Sequence, residues 1–267
     1  MNFTEYFKST FFAKNLGKFQ RYTAFTLAEV LITLGIIGVV AALTIPTIIA
    51  NQQEKTTVST LKKAYSSLSQ AYTMAVQENG TPDNWELVAQ DSPAGAGNMI
   101  NILGNSLRIL KNCGNSDFSC FPDVYYKYLN GQPKAKATNT NYSRAQLADG
   151  MLIETQVWSP NCSRDWGDGN YNNVCGRYSV DINGFKNPNQ EGVDYFLFYL
   201  TKNGIMPAGA PNNGGFTFSG FCRDKSLGLI AGMGSNGTGC TAWVIYNENM
   251  DYLKCDDLSW DGKTKCD

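Results

Sequence analysis

The sequence predicts an α+β fold: a long N-terminal helix, with a transmembrane half and an amphipathic half, packed on a small, mostly antiparallel sheet with disulfide-linked loops. Three observations predict it. No charged residue lies between Glu29 and Glu54. The polar stretch after Asn51 keeps an apolar period of three and four residues. All eight cysteines fall beyond the apolar run, among short apolar segments rich in Gly, Asn and Asp.

Residues 1–24 carry Lys8, Lys14, Lys18 and Arg21 against Glu5, so the leader is basic and the remainder acidic. A basic flank before an apolar span orients the amino end toward the cytoplasm. A secretory signal places its small cleavage residue after the apolar part. Here the small residue Ala24 comes before it, so cutting there leaves the helix on the mature chain. Residues 25–50 form the membrane-spanning element, long enough to cross a bilayer. Thr26 and Glu29 have the spacing of a capping box. A carboxylate just inside such a run is costly in lipid and is a functional candidate by default. As a rival reading, Glu29 is only a capping residue near a membrane interface. Gly35 and Gly38 are small enough for helices to approach closely, and Pro46 is expected to kink or loosen the helix.

Residues 51–80 continue the helix. Val58, Leu61, Tyr65, Leu68, Tyr72 and Val76 make one apolar stripe, and Asn79-Gly80 followed by Thr81-Pro82 ends it. Residues 81–267 form the exported domain. A short helix is expected around Met99–Leu110, and strands over Met151–Trp158, Arg177–Ile182, Tyr195–Leu200 and Thr241–Tyr246. Asn183-Gly184 and Asn203-Gly204 read as turns.

Cys113, Cys120, Cys162, Cys175, Cys222, Cys240, Cys255 and Cys266 read as disulfides on the exported side. Sequence alone leaves every pairing open; the short separations favour successive neighbours. The chain has no histidine and no CxxC pair, which argues against zinc. Ser-His-Asp and Cys-His catalysis are excluded. Carboxylate pairs and Ser-Lys chemistry stay open with no motif for either, so no enzymatic activity is expected. A net charge of −1 gives no nucleic-acid footprint.

Two loops suit an oxygen-ligated cation such as calcium, although turn-forming Asn and Asp are the commoner explanation. One holds Asp165, Asp168 and Asn170, the other Asp181, Asn183 and Asp194. Trp158, Trp166, Tyr171, Trp243 and Trp260 read as loop or core packing, or as sugar, partner or DNA contacts.

The segment AFTLAEVLITLGIIGVVAALTIPTIIANQQ resembles the amino-terminal signature of type IV pilins and the related type II secretion pseudopilins. DINGFKNPNQEGVDYFLF and CTAWVIYNENMDYLKC also resemble carboxy-terminal segments of pilin-like proteins from Gram-negative bacteria. The resemblance implies a structural subunit and a pilin-like fold. A prepilin peptidase would cut between Ala24 and Phe25 and methylate the new amine of Phe25, with Glu29 needed for methylation and assembly. Ala24 stands where the family prefers glycine. Implied partners are other pilin subunits, the peptidase, an assembly platform protein, an ATPase and inner-membrane lipid. The implied location is the bacterial inner membrane, single-pass, and then a periplasmic or extracellular filament. Calcium in a carboxy-terminal loop of major pseudopilins makes Asp181, Asn183 and Asp194 the better candidates. Alternative readings are a minor pilin acting as an adhesin or DNA-uptake tip, and a membrane-tethered exported binding protein or enzyme.

Overall fold

The computed structural model describes residues 25–88, 93–223 and 236–267. The expected leader, including Ala24, lies outside these residues. Helix α1 spans Leu27–Asn79 and runs through Gly35, Gly38 and Pro46 without a break. The chain divides into two units, with the boundary between Ile49 and Ala50.

In the first unit the apolar side chains from Phe25 to Ile49 are almost all exposed. Among the described residues, α1 is the one helix long and apolar enough to cross a membrane. Thr33 and Thr44 donate their hydroxyls to the carbonyls of Val30 (3.0 Å) and Val40 (2.9 Å). Such bonds satisfy two side-chain donors that an apolar medium would otherwise leave without a partner.

In the second unit α1 buries Leu61, Ala64, Leu68, Ala71 and Ala75. Val58, Tyr65, Tyr72 and Val76 flank that line, half-buried. This line shares one hydrophobic core with a six-stranded sheet. Its strands are β1 (Ile109–Gly114), β2 (Ser143–Leu147), β3 (Leu152–Val157), β4 (Val174–Asp181), β5 (Tyr195–Thr201) and β6 (Gly204–Pro207). Their spatial order equals their chain order, and every pair is antiparallel. The Tyr65 ring stacks on Phe198 at 5.8 Å, and the Tyr72 hydroxyl donates to the Lys202 carbonyl at 2.7 Å. The result is the α+β arrangement of a pilin-like fold: a long helix on a small antiparallel sheet.

Helix α2 (Pro93–Gly104) lies against β2 and β3. The Thr155 and Tyr178 hydroxyls donate to the carbonyls of Ala96 (2.9 Å) and Met99 (3.2 Å). The helix expected around Met99–Leu110 therefore starts earlier and stops at Gly104, and Ile109 already belongs to β1. The strands expected near 151–158, 177–182 and 195–200 form as β3, β4 and β5. The fourth expectation is corrected: Thr241–Asn247 is a helix, α3. Its residues Thr241 to Ile245 are all buried, and a short segment buried on every side carries no period to separate helix from strand. Trp243, fully buried, stacks on Phe218 at 4.0 Å. Gly209 shows how tightly this region closes: at φ +91° a Cβ there would stand 1.8 Å from the Gly239 carbonyl oxygen. Only glycine meets both the conformation and the space.

The sheet face opposite α1 is polar, yet it too is covered. Arg144, Glu154, Arg177, Asp181 and Tyr195 project there and are buried. Phe121 and Tyr126 from the loop after β1 close over one end, and Trp158, Trp166, Tyr171 and Phe216 over the other.

Candidate functional site

The head of α1 is a reciprocal capping box. The Thr26 backbone N–H and hydroxyl both donate to Glu29 Oε2 at 2.8 Å, and the Glu29 N–H donates to Thr26 Oγ1 at 3.2 Å. Val30 N–H to the Thr26 carbonyl is the first helical bond, at 3.2 Å. Free N–H groups at a helix start attract a carboxylate, so the sequence T-L-A-E fixes the acid in place. Phe25, one residue before the cap, is 83 % exposed. The arrangement therefore holds a carboxylate within one helical turn of Phe25, on a helix that is otherwise uncharged as far as Ala50. A Cβ added at Gly35 or Gly38 would meet nothing within 4 Å, so these positions are open to another helix. Pro46 has no N–H to donate inside the helix.

The cysteines close four disulfides between successive neighbours: Cys113–Cys120, Cys162–Cys175, Cys222–Cys240 and Cys255–Cys266. Each ties a loop or strand end rather than bridging distant elements. The carboxy-terminal segment is also fastened to α1. The Met250 N–H and Lys254 Nζ donate to Glu54 at 2.9 and 2.8 Å, and Lys62 pairs with Glu248.

Asp181, Asn183 and Asp194, the calcium candidates of the sequence, lie together and are engaged with protein donors. Asp181 is fully buried, with the Tyr126 hydroxyl 2.6 Å from Oδ2 and the N–H groups of Gly184 and Asn183 on Oδ1 at 2.9 and 3.3 Å. Asp194 accepts from the N–H groups of Gln190 (2.6 Å) and Asn189 (2.8 Å) and from Asn183 Nδ2 (2.9 Å). Each carboxylate thus accepts from three protein donors, while Asn183 Oδ1 is buried without a hydrogen-bond partner. Burial, reinforced by Asp194, pushes Asp181 up to about 8, so it is mostly protonated at neutral pH. Among the described residues no group of three or more acidic, cysteine or histidine side chains converges on a metal position. In the first loop Asp165 accepts from the Gly167 N–H at 3.1 Å, a turn-forming bond.

A raised carboxyl gives stability that is complete below the unfolded pKa, about 3.9, and is lost as pH rises through about 8. Asp181→Asn is expected to be more stable than the parent above that range and to flatten the profile between. Urea midpoints across the range check it; a profile parallel to that of the parent would contradict the assignment.

Of the aromatics singled out in the sequence, Trp243 and Tyr171 are core. Trp158, Trp166 and Trp260 are half-buried and packed on other rings. The charged row on the polar sheet face escaped sequence reasoning. Arg144 pairs with Glu154 at 2.9 Å, both buried, and the Tyr195 hydroxyl donates to Glu154 at 3.0 Å. The alternation in R-Y-S-V-D of β4 was the available signal.

A family model described as a family of unknown function (DUF6613) matches residues 47–213. No curated protein and no solved structure matches the chain.

Proposed function

The chain belongs to a family of unknown function (DUF6613), and from its own residues we propose that it is a structural subunit of a type IV pilus or type II secretion pseudopilus. One observation carries the reading: Glu29, held by the Thr26 cap, is the single acid at the head of an exposed apolar helix. An ionised carboxylate in hydrocarbon costs about 3 kcal/mol on insertion scales. A prepilin peptidase cutting between Ala24 and Phe25 supplies the compensating charge, the new amine of Phe25, within one helical turn. The amine pairs with Glu29 of the same subunit or of its neighbour, and pairing removes most of the penalty of burying either charge. The subunit waits in the inner membrane with its amino end in the cytoplasm. It then leaves for a filament in which apolar helices pack together, Gly35 and Gly38 permitting close approach. A platform protein and an ATPase drive the transfer.

The cysteines support export, because disulfides persist in oxidising compartments. Shear fractionation of intact cells tests the proposal. Recovery of the chain in sedimenting filaments supports it, and confinement to membranes under conditions of active filament growth contradicts it.

A further inference from the structure

A second site lies on the polar face of the sheet, remote in sequence from the helix head. A cavity of about 100 Å³ opens between the loop over 121–142 and strands β2 to β5, lined by Phe121, Tyr126, Tyr142, Arg144, Arg177 and Tyr195 among others. Charged side chains reach it from several elements, and nearly all are spoken for. Arg144 is bound to Glu154 and to the Asn139 carbonyl. Lys134 pairs with Glu191 at 2.5 Å and Lys136 with Asp123 at 2.7 Å.

Arg177 is the exception. It is 9 % exposed, it makes no ion pair with any described carboxylate, and its Nε has no hydrogen-bond partner. Among the described residues its one side-chain hydrogen bond runs from Nη2 to the Tyr142 hydroxyl at 2.6 Å, a neutral acceptor. The guanidinium lies over the Tyr142 ring at 4.9 Å and over Trp158 at 5.8 Å. Glu154 and Glu191 act on it electrostatically without forming an ion pair, so its donors keep unfilled capacity, and a guanidinium fork matches a carboxylate in plane and spacing. The ring faces around it offer apolar contact to whatever carries the charge.

We propose that this cavity binds a small organic carboxylate, with the charged group beside Arg177 and Tyr142 and its carbon body against the Tyr142 and Phe121 rings. The volume admits the carboxylate and a few carbons. The loop over 121–142 folds onto the sheet to form the site, which accounts for a strand face that keeps its charges while being covered. This inference is independent of filament assembly.

Two sources present this chemistry, a sugar acid and an aromatic acid. Ligand-observed saturation-transfer NMR distinguishes them, using the full chain in nanodiscs. The probes are glucuronate and benzoate, with glucose and benzyl alcohol as uncharged controls. At least one acid is expected to bind while its neutral control does not, and whichever acid binds identifies the source. Arg177→Gln is expected to weaken binding at least about tenfold, through loss of charge-assisted hydrogen bonds. Arg177→Lys keeps the charge but loses the fork and is expected to restore only part of the affinity. Ala137→Trp enlarges a lining residue of the cavity and leaves Arg177 itself unchanged, so it reports on the site even where Arg177 variants fail to fold; it too is expected to abolish binding. Failure of both acids to bind, equal binding of acid and neutral control, or undiminished binding by folded Arg177→Gln or Ala137→Trp would overturn the proposal.

Discussion

Replacing Glu29 by leucine is expected to leave the chain cleaved and inserted but to stop filament growth. The substitution makes insertion easier, because it removes a carboxylate from the apolar span. A failure to reach the membrane therefore cannot explain a loss of filaments. The Phe25 ammonium remains, and in a packed helical core it would have no anion. Leaving one member of a buried pair unpaired costs about 3 kcal/mol or more, which lowers the association constant per subunit roughly a hundredfold or more. Filament mass in the sheared fraction, normalised to membrane-held subunit, reads the effect. Thr26 sharpens the interpretation. It holds Glu29 by two donors at 2.8 Å, so Thr26→Val disturbs the cap while leaving the charge. That variant is expected to lose about 1 kcal/mol of helix-start stability and to assemble still. Were Thr26→Val to match Glu29→Leu, the acid would be acting as a cap and nothing more.

The second large effect is expected from the Cys222–Cys240 disulfide. Both cysteines are fully buried and the bond closes a separation of 18 residues. Cross-linking a loop of that size restricts the unfolded chain by about 3 kcal/mol. The cysteines also flank the segment that leads into α3, where Trp243 stacks on Phe218. The double variant Cys222→Ser, Cys240→Ser is expected to melt roughly 10 °C lower, at 2–4 °C per kcal/mol for a domain of this size. It also places two hydroxyls where no polar partner was needed. Calorimetry checks it; a shift below about 2 °C would show that packing around Trp243 fixes this region without the bond.

How much of this could be read from the sequence depended on where each residue finds its partner. Helix α1 was legible because its partners are local or periodic. Thr26 and Glu29 are three residues apart, and the Leu61, Leu68 stripe repeats along one face. The alanines Ala64, Ala71 and Ala75 were not singled out, since a small buried residue leaves little trace in an apolar count. Strands β3, β4 and β5 were legible from their apolar and aromatic content. β1, β2 and β6 were missed because I-L-K-N-C-G, S-R-A-Q-L and G-I-M-P carry little of it. Strand β2 is a strand because Arg144 meets Glu154 across the ladder, ten residues away. The Thr241–Asn247 helix was mistaken for a strand because burial on all sides hides the period. The calcium expectation turns on another point: Asp and Asn in a loop signal oxygen atoms, but sequence does not show that Tyr126, some 55 residues upstream, and nearby backbone N–H groups donate to them. The charged cavity was invisible for the same reason, because Arg177 and Tyr142 meet only in the fold.

On this reading a freshly made backbone ammonium neutralises an acid held in hydrocarbon. Mass spectrometry of the amino-terminal peptide, from subunits recovered separately from membranes and from sheared filaments, is the decisive experiment. Filament subunits are expected to begin at Phe25 with a methylated amine and a free Glu29 side chain. A filament or membrane population that retains the segment before Phe25 would contradict it, since no cationic amine would then exist to meet the carboxylate.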